Sequence, residues 1–305
     1  MAFTAKDVQA LREKTGCGMM DCKKALVECD GDMDKAVDYL REKGLASQAK
    51  KATRVAAEGA VVTYSENGVA AVVEANTETD FVASNEEFKA FTLKVAEIVA
   101  KQNPNDVETL LKCKNEEGAT VEEMVQEFFL KFRENISVRR FARYEGVTSG
   151  YVHAGGAIGV LVKFETSDEI AAKPEFAAMG KAVAMQIAAQ NPTYLDRASV
   201  PAEVLDKEKE ILVAQMKEDP KMANKPEAGL GKIVEGKIGK YYTENCLLEQ
   251  EFVMDDSVNV GKYIANTAKE LGGDIKAVEF VRFEKGEGIQ KREDNFADEV
   301  ASMIK

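Results

Sequence analysis

Two aspartates at matching places in the chain are the first residues whose type and spacing could do chemistry. Asp80 lies in Thr79-Asp80-Phe81-Val82 and Asp168 in Ser167-Asp168-Glu169-Ile170, 88 residues apart. A pair of carboxylates can do general acid–base work when one cavity holds both. The chain offers little else of that kind. Its single histidine, His153, leaves no histidine ligand set and disfavours His-assisted nucleophilic attack. The five cysteines, Cys17, Cys22, Cys29, Cys113 and Cys246, include no Cys-x-x-Cys pair and read as reduced thiols. The spacing of the first three is wider than zinc sites use. The string Gly231-Lys-Ile-Val-Glu-Gly236-Lys237-Ile238 fails as a phosphate-binding loop, because Ile238 stands where a hydroxyl would meet magnesium. Neither a resident metal nor a cofactor is expected.

The two aspartates belong to an internal repeat. Sliding the chain by 88 residues aligns Gly68–Pro104 with Gly156–Pro192, and 13 of the 37 positions coincide. Asp80 matches Asp168, Glu87-Phe88 matches Glu175-Phe176, and both copies close with Gln-Asn-Pro. A recurring aspartate fits a turn or a helix N-terminus. Phe81, by contrast, is replaced by Glu169. If the copies fold alike and Glu169 is solvated, Phe81 points into solvent too. A loop Phe left there forgoes about 1.5 to 3 kcal/mol of burial unless a partner supplies the pocket. The other reading is a Phe folded back onto its own core.

The elements that must position these residues are legible from periodicity. Thr4 with Asp7 opens a helix carrying Val8 and Leu11; a second runs over Met19–Cys29; Asp32 opens a third, ended by Gly44. A charged helical linker covers Ala46–Arg54. Asn67-Gly68 between β-branched runs predicts a hairpin of strands 60–64 and 69–74, followed by a polar loop over 76–82. Ser84 with Glu87 and Thr120 with Glu123 read as capping boxes, for helices ending near Lys101 and Phe132. Gly155-Gly156 reads as the second copy's hairpin turn, with His153 in the strand before it. Beyond the repeat, helices from Ser199 to Pro220 and from Pro226 to Lys240 read as a projecting hairpin. A capped helix over 257–271, a strand over 276–283 and a terminal helix over 295–304 follow, with Glu284–Gly288 separating that last helix from the body.

Acidic residues exceed basic ones, 53 to 41, a net charge of -12 that opposes a broad phosphate-backbone footprint and so disfavours direct nucleic-acid binding. No apolar run is long enough to span a membrane and no secretory signal opens the chain, so a cytoplasmic protein is expected.

Several segments in order carry a resemblance. Leu11-Arg-Glu-Lys-Thr-Gly-Cys-Gly-Met-Met-Asp-Cys-Lys-Lys-Ala-Leu26, Thr79-Asp-Phe-Val82, Glu134-Asn-Ile-Ser-Val-Arg-Arg140, His153 with Ile158-Gly-Val-Leu-Val162, and Phe280-Val-Arg-Phe-Glu-Lys-Gly-Glu-Gly288 resemble the bacterial elongation factor Ts family, guanine-nucleotide exchange factors for elongation factor Tu. The resemblance implies an α+β protein with four parts. A ubiquitin-associated-like three-helix bundle and linker occupy 1–54, a first core subdomain 55–145 and a second 146–284. The second carries an inserted helical hairpin at about 195–243, and a C-terminal helical module fills 285–305. Each core copy is an antiparallel sheet with a helix. The resemblance also implies that Thr79, Asp80, Phe81 and Val82 bind the partner's G domain and dislocate its magnesium, and that His153 touches another domain. Met19, Met20 and Leu11 are carried over as further partner contacts, although the two methionines fit a bundle core equally well. A homodimer or a 2:2 complex stays open. Two other classes stand beside exchange: an adaptor that binds without driving nucleotide release, and an enzyme built on Asp80 and Asp168.

Overall fold

The computed structural model describes residues 3–15, 17–51, 53–218 and 227–290. It is an α+β fold. Three helices come first: α1 (Ala5–Thr15), α2 (Met19–Glu28) and α3 (Met33–Lys51). The Asp7 carboxylate accepts the Thr4 N–H at 2.6 Å, and Asp32 caps α3 through the Lys35 N–H at 3.1 Å. Val8, Leu11, Cys22, Ala25, Leu26, Ala36 and Leu40 fill the centre. Gly44 does not end α3, which continues to Lys51 through the expected linker. The glycine answers a packing need instead. A Cβ there would collide with the Leu130 side chain on the neighbouring helix.

Next come β1 (Glu58–Glu66), β2 (Val69–Thr77), the single turn α4 (Asp80–Ala83), α5 (Glu86–Gln102), α6 (Val107–Lys112), α7 (Val121–Phe132) and β3 (Ser137–Glu145). Asn67 and Gly68 both take positive φ, 51° and 74°, as a two-residue hairpin turn requires. Thr120 and Glu123 form the expected capping box. Two readings change. The polar loop over 76–82 is the end of β2 plus α4, and α5 is capped by Asn85, whose side chain takes the Glu87 N–H at 2.8 Å, rather than by Ser84.

The same order returns in β4 (Val147–His153), β5 (Ile158–Glu165), α8 (Asp168–Ala171) and α9 (Pro174–Gln190). Asn103 and Asn191 end α5 and α9 in the left-handed region. Helices α10 (Ala202–Glu218) and α11 (Glu227–Asn245) pack on each other, the second passing Lys240. A short hairpin, β6 (Glu251–Phe252) and β7 (Asp255–Asn259), precedes α12 (Val260–Leu271) and β8 (Lys276–Glu284). Asn259, not Ser257, caps α12. The terminal helix expected over 295–304 lies outside the described residues.

Strand order is β1-β2-β3 in one antiparallel sheet and β4-β5-β8 in another. Alternation along the central strands explains the layers. Ala71, Val73 and Ala75 of β2 meet Phe88, Val95 and Val99 of α5, while Val160, Val162 and Phe164 of β5 meet Phe176, Val183 and Ile187 of α9. The residues between them point the other way. Val61, Ala70, Val72, Leu161 and Phe283 form a separate apolar cluster where the two sheets face each other. Gly159 permits that approach, since a Cβ there would collide with Val61.

Glu74 points into the same interface and is fully buried. Its carboxylate accepts from Arg139 at 2.9 Å, Arg140 at 2.6 Å, Asn76 at 3.1 Å and the Gly286 N–H at 2.8 Å. Burial alone would push its pKa up. The Gly286 N–H, the two arginines and Asn76 outweigh that and hold it below the usual carboxylate range. The segment Glu284–Gly288 therefore does not simply separate a terminal helix from the body: Lys285 pairs with Glu58 at 2.6 Å, and Gly286 lies against the Ala57 carbonyl, where any Cβ would collide.

Candidate functional site

The turn Thr79–Val82 is ordered from both of its ends. Thr79 takes extended backbone and caps α4, its hydroxyl accepting from the Val82 N–H at 3.3 Å. At the other end the Ser84 hydroxyl donates to the carbonyls of Asp80 and Phe81 at 2.8 and 3.1 Å. A one-turn helix fixes successive side chains in different directions. Val82 is buried with α5, Asp80 is exposed, and Phe81 is 77% exposed, the most exposed large apolar side chain of the described residues. In the second copy Ser167 caps α8 the same way, Ile170 is buried and Glu169 is exposed. The two turns share a scaffold and differ in what they offer to solvent.

A second segment grips the first turn. The Glu134 carboxylate accepts from the Thr79 N–H at 3.0 Å, the Thr79 hydroxyl at 2.6 Å and the Thr77 hydroxyl at 2.7 Å. Glu78 in return accepts the Asn135 N–H at 2.7 Å and pairs with Arg54 at 3.2 Å. Asn135 donates to the Arg54 carbonyl at 2.8 Å. Just upstream, Arg133 ends α7 in the left-handed region and pairs with Asp21 of α2. The three-helix bundle, α7 and the Thr79 turn thus meet at residues 133–135. Sequence reading quoted Glu134-Asn135 only as part of a motif; nothing local tied them to Thr79, because the contact spans 55 residues.

His153 is exposed at the end of β4, its Nδ1 3.0 Å from the Tyr151 hydroxyl. The four residues after it, Ala154–Ala157, make a longer turn than Asn67-Gly68, with Ala154, Gly155 and Gly156 all at positive φ. That turn docks on β1, the Gly156 carbonyl accepting the Val61 N–H at 2.8 Å. It also borders a shallow groove of about 290 Å³ whose walls include Asp80, Ser84, Lys89, Gly155 and Lys285. The structure therefore brings the Asp80 turn and the turn after His153 to one groove. Met20 is 74% exposed at the start of α2 and Met19 is partly so, which removes them from the bundle core. Leu11 has no exposed surface and sits at the centre of the bundle, so its side chain shapes the bundle from within.

An exposed ring and an exposed carboxylate on a held turn are groups that can make recognition contacts. The groove at Asp80 is not lined by Asp168, so it does not join the two aspartates. Cys17, Cys22 and Cys246 are buried, and burial pushes the Cys246 thiol up to about 11, far from a reactive thiolate. What stands free is an aromatic ring on a held turn, next to the exposed Asp80 carboxylate. No helix of the described residues is long and apolar enough to cross a membrane.

Comparison with known proteins agrees with the segments quoted above. The sequence profile of the family described as Elongation factor TS matches residues 78–287. A protein named Elongation factor Ts from Clostridium perfringens is 51% identical over 306 residues, covering 99% of each chain. Proteins of that name from Clostridioides difficile and Clostridium tetani are each 49% identical, again over 99% of both chains.

Proposed function

Because the chain belongs to the elongation factor Ts family and so serves translation elongation, we propose that it binds elongation factor Tu carrying GDP and promotes GDP release and GTP exchange. The single observation that carries the reading is Phe81, held out on an ordered turn while its counterpart in the other copy is a glutamate. Inserted between elements of the partner's G domain, the ring gains the burial it lacks here, about 1.5 to 3 kcal/mol. That free energy offsets displacement of the helices around the partner's magnesium and phosphates. Magnesium requires near-octahedral oxygen ligands at about 2.0 to 2.1 Å, so a small shift costs coordination. Asp80 enters beside Phe81, Thr79 sets their direction, and Val82 anchors the turn in the core.

His153 meets another domain of the partner, and Met19 and Met20 present the N-terminal bundle to its G domain. In this reading the bundle of 1–54 and the core subdomains 55–145 and 146–284 act as one frame that also holds Lys285 and Gly286, with the hairpin at about 195–243 as a further arm. No covalent bond is made or broken and no cofactor is needed. Coupling is reciprocal: whatever free energy this protein takes from GDP binding, GDP takes from its binding, so an incoming nucleotide releases it.

The test is release of a fluorescent GDP analogue from elongation factor Tu with substoichiometric protein. Multiple-turnover acceleration that Phe81→Ala abolishes is the expected result. Equal affinity for the nucleotide-free and GDP-bound partner, with no acceleration, would favour the adaptor.

A further inference from the structure

We propose that Glu134 is the positioning residue of the exchange turn: its carboxylate, reaching across from the exit of α7, holds Phe81 in the pose that enters the partner. The inference rests on the function proposed above. Four residues of helix gain little from their own hydrogen bonds, since nucleation fixes several dihedrals for one bond, so the pose of the turn depends on its caps and contacts. To the Thr79 and Ser84 caps Glu134 adds three hydrogen bonds, two with Thr79 and one with Thr77. Because the acceptor is ionised, these are of the stronger kind.

The second copy acts as an internal control. In strand register Arg140 opposite Glu74 corresponds to Phe280 opposite Val162, so the counterpart of Glu134 is Asp274, a carboxylate one methylene shorter. There Thr166 donates to the Asp274 backbone carbonyl at 2.8 Å, and among the described residues no hydrogen bond joins the Asp274 carboxylate to Ser167 or Glu165. A capped turn of this design therefore folds without any carboxylate grip. The grip accompanies only the copy that exposes an aromatic ring. An exposed Phe on an ungripped turn would collapse onto nearby apolar surface or sample many poses, and ordering it would then draw on the binding free energy. Glu134 does this ordering in advance.

The experiment measures amide hydrogen exchange over residues 79–84 in the full chain, alongside nucleotide release from elongation factor Tu, for Glu134→Ala, Glu134→Gln, Phe81→Ala and the Glu134→Ala/Phe81→Ala double variant. Glu134→Ala is expected to speed exchange at Val82, Ala83 and Ser84 by about tenfold or more, with α5 as protected as in the wild type. It should lower kcat/KM for nucleotide release by about tenfold. Glu134→Gln, which keeps one acceptor, should recover most of both. In the Phe81→Ala background Glu134→Ala should still speed exchange over 82–84, because the grip acts through Thr77 and Thr79 and not through the ring. Thr77→Val, which deletes one donor at constant shape, should give a smaller effect in the same direction and serves if Glu134→Ala does not fold. Unchanged protection over 79–84, or an equal loss of protection in α5, would overturn the proposal. Absence of acceleration by the wild type would overturn the exchange reading instead, and the protection data would still decide whether Glu134 holds the turn.

Discussion

Phe81 and Val82 are neighbours with opposite fates, and substitution should separate them. Phe81→Ala removes a ring that touches little of its own protein, so the thermal midpoint should stay within error of the wild type while exchange is lost. Val82→Ala, by contrast, opens space among buried residues of the first core and should cost about 2 kcal/mol, read by chemical denaturation. The sequence leaves the exposure of Phe81 open: the repeat sets Glu169 beside it for comparison, but a ring folded back onto its own core fits the same residues. Met19 and Met20 were ambiguous for a related reason: a short amphipathic helix places apolar residues on its rim as well as in its seam, and no second copy of the bundle exists to compare. Ser84 and Asn85 adjoin and either can cap. The structure chose Asn85 because Ser84 was already engaged with α4.

At the scale of elements, caps and periods located most helices, and the errors trace to contacts between elements. Gly44 looks like a stop signal when only its own helix is considered; against α7 it is a point of close approach. The pair β6–β7 was missed because its paired segments are too short to alternate visibly. Gly159 makes the same point in a strand. It lets β5 lie against Val61 and Val72, and Gly159→Val should force the sheets apart, lowering stability by about 2 to 3 kcal/mol with the secondary-structure signal retained. A thermal melt followed by circular dichroism in the far and near ultraviolet would show both effects.

Across the whole molecule, the repeat announced two similar sheets but not their face-to-face packing, because β2 and β5 are apolar on both sides and periodicity cannot say what covers each face. Nor could it reveal Glu74, whose partners come from β3 and from residue 286. A carboxyl whose folded-state pKa lies below its unfolded value contributes stability in full above the unfolded value and loses it as pH falls toward the folded one. Glu74 is such a group, so its contribution should vanish progressively below its ordinary value of 4.5, and Glu74→Gln should flatten that part of the stability–pH curve. Denaturant midpoints from pH 7 to pH 3 would test this; a curve that falls as steeply in the variant would assign acid loss to other carboxylates. The same residue carries a consequence for the making of the protein. Glu74 and its Gly286 donor are 212 residues apart, and the valines that face the second sheet are also laid down long before it. At ribosomal speeds of about 5 to 20 residues per second, that interval lasts roughly 10 to 40 s. The apolar face waits less long, since β5, which covers it, is made about 90 residues after β2, but the Glu74 carboxylate lacks its Gly286 donor for the whole interval. A carboxylate without its donors holds water, so the closing of this interface must wait for the last strand and the residues just beyond it.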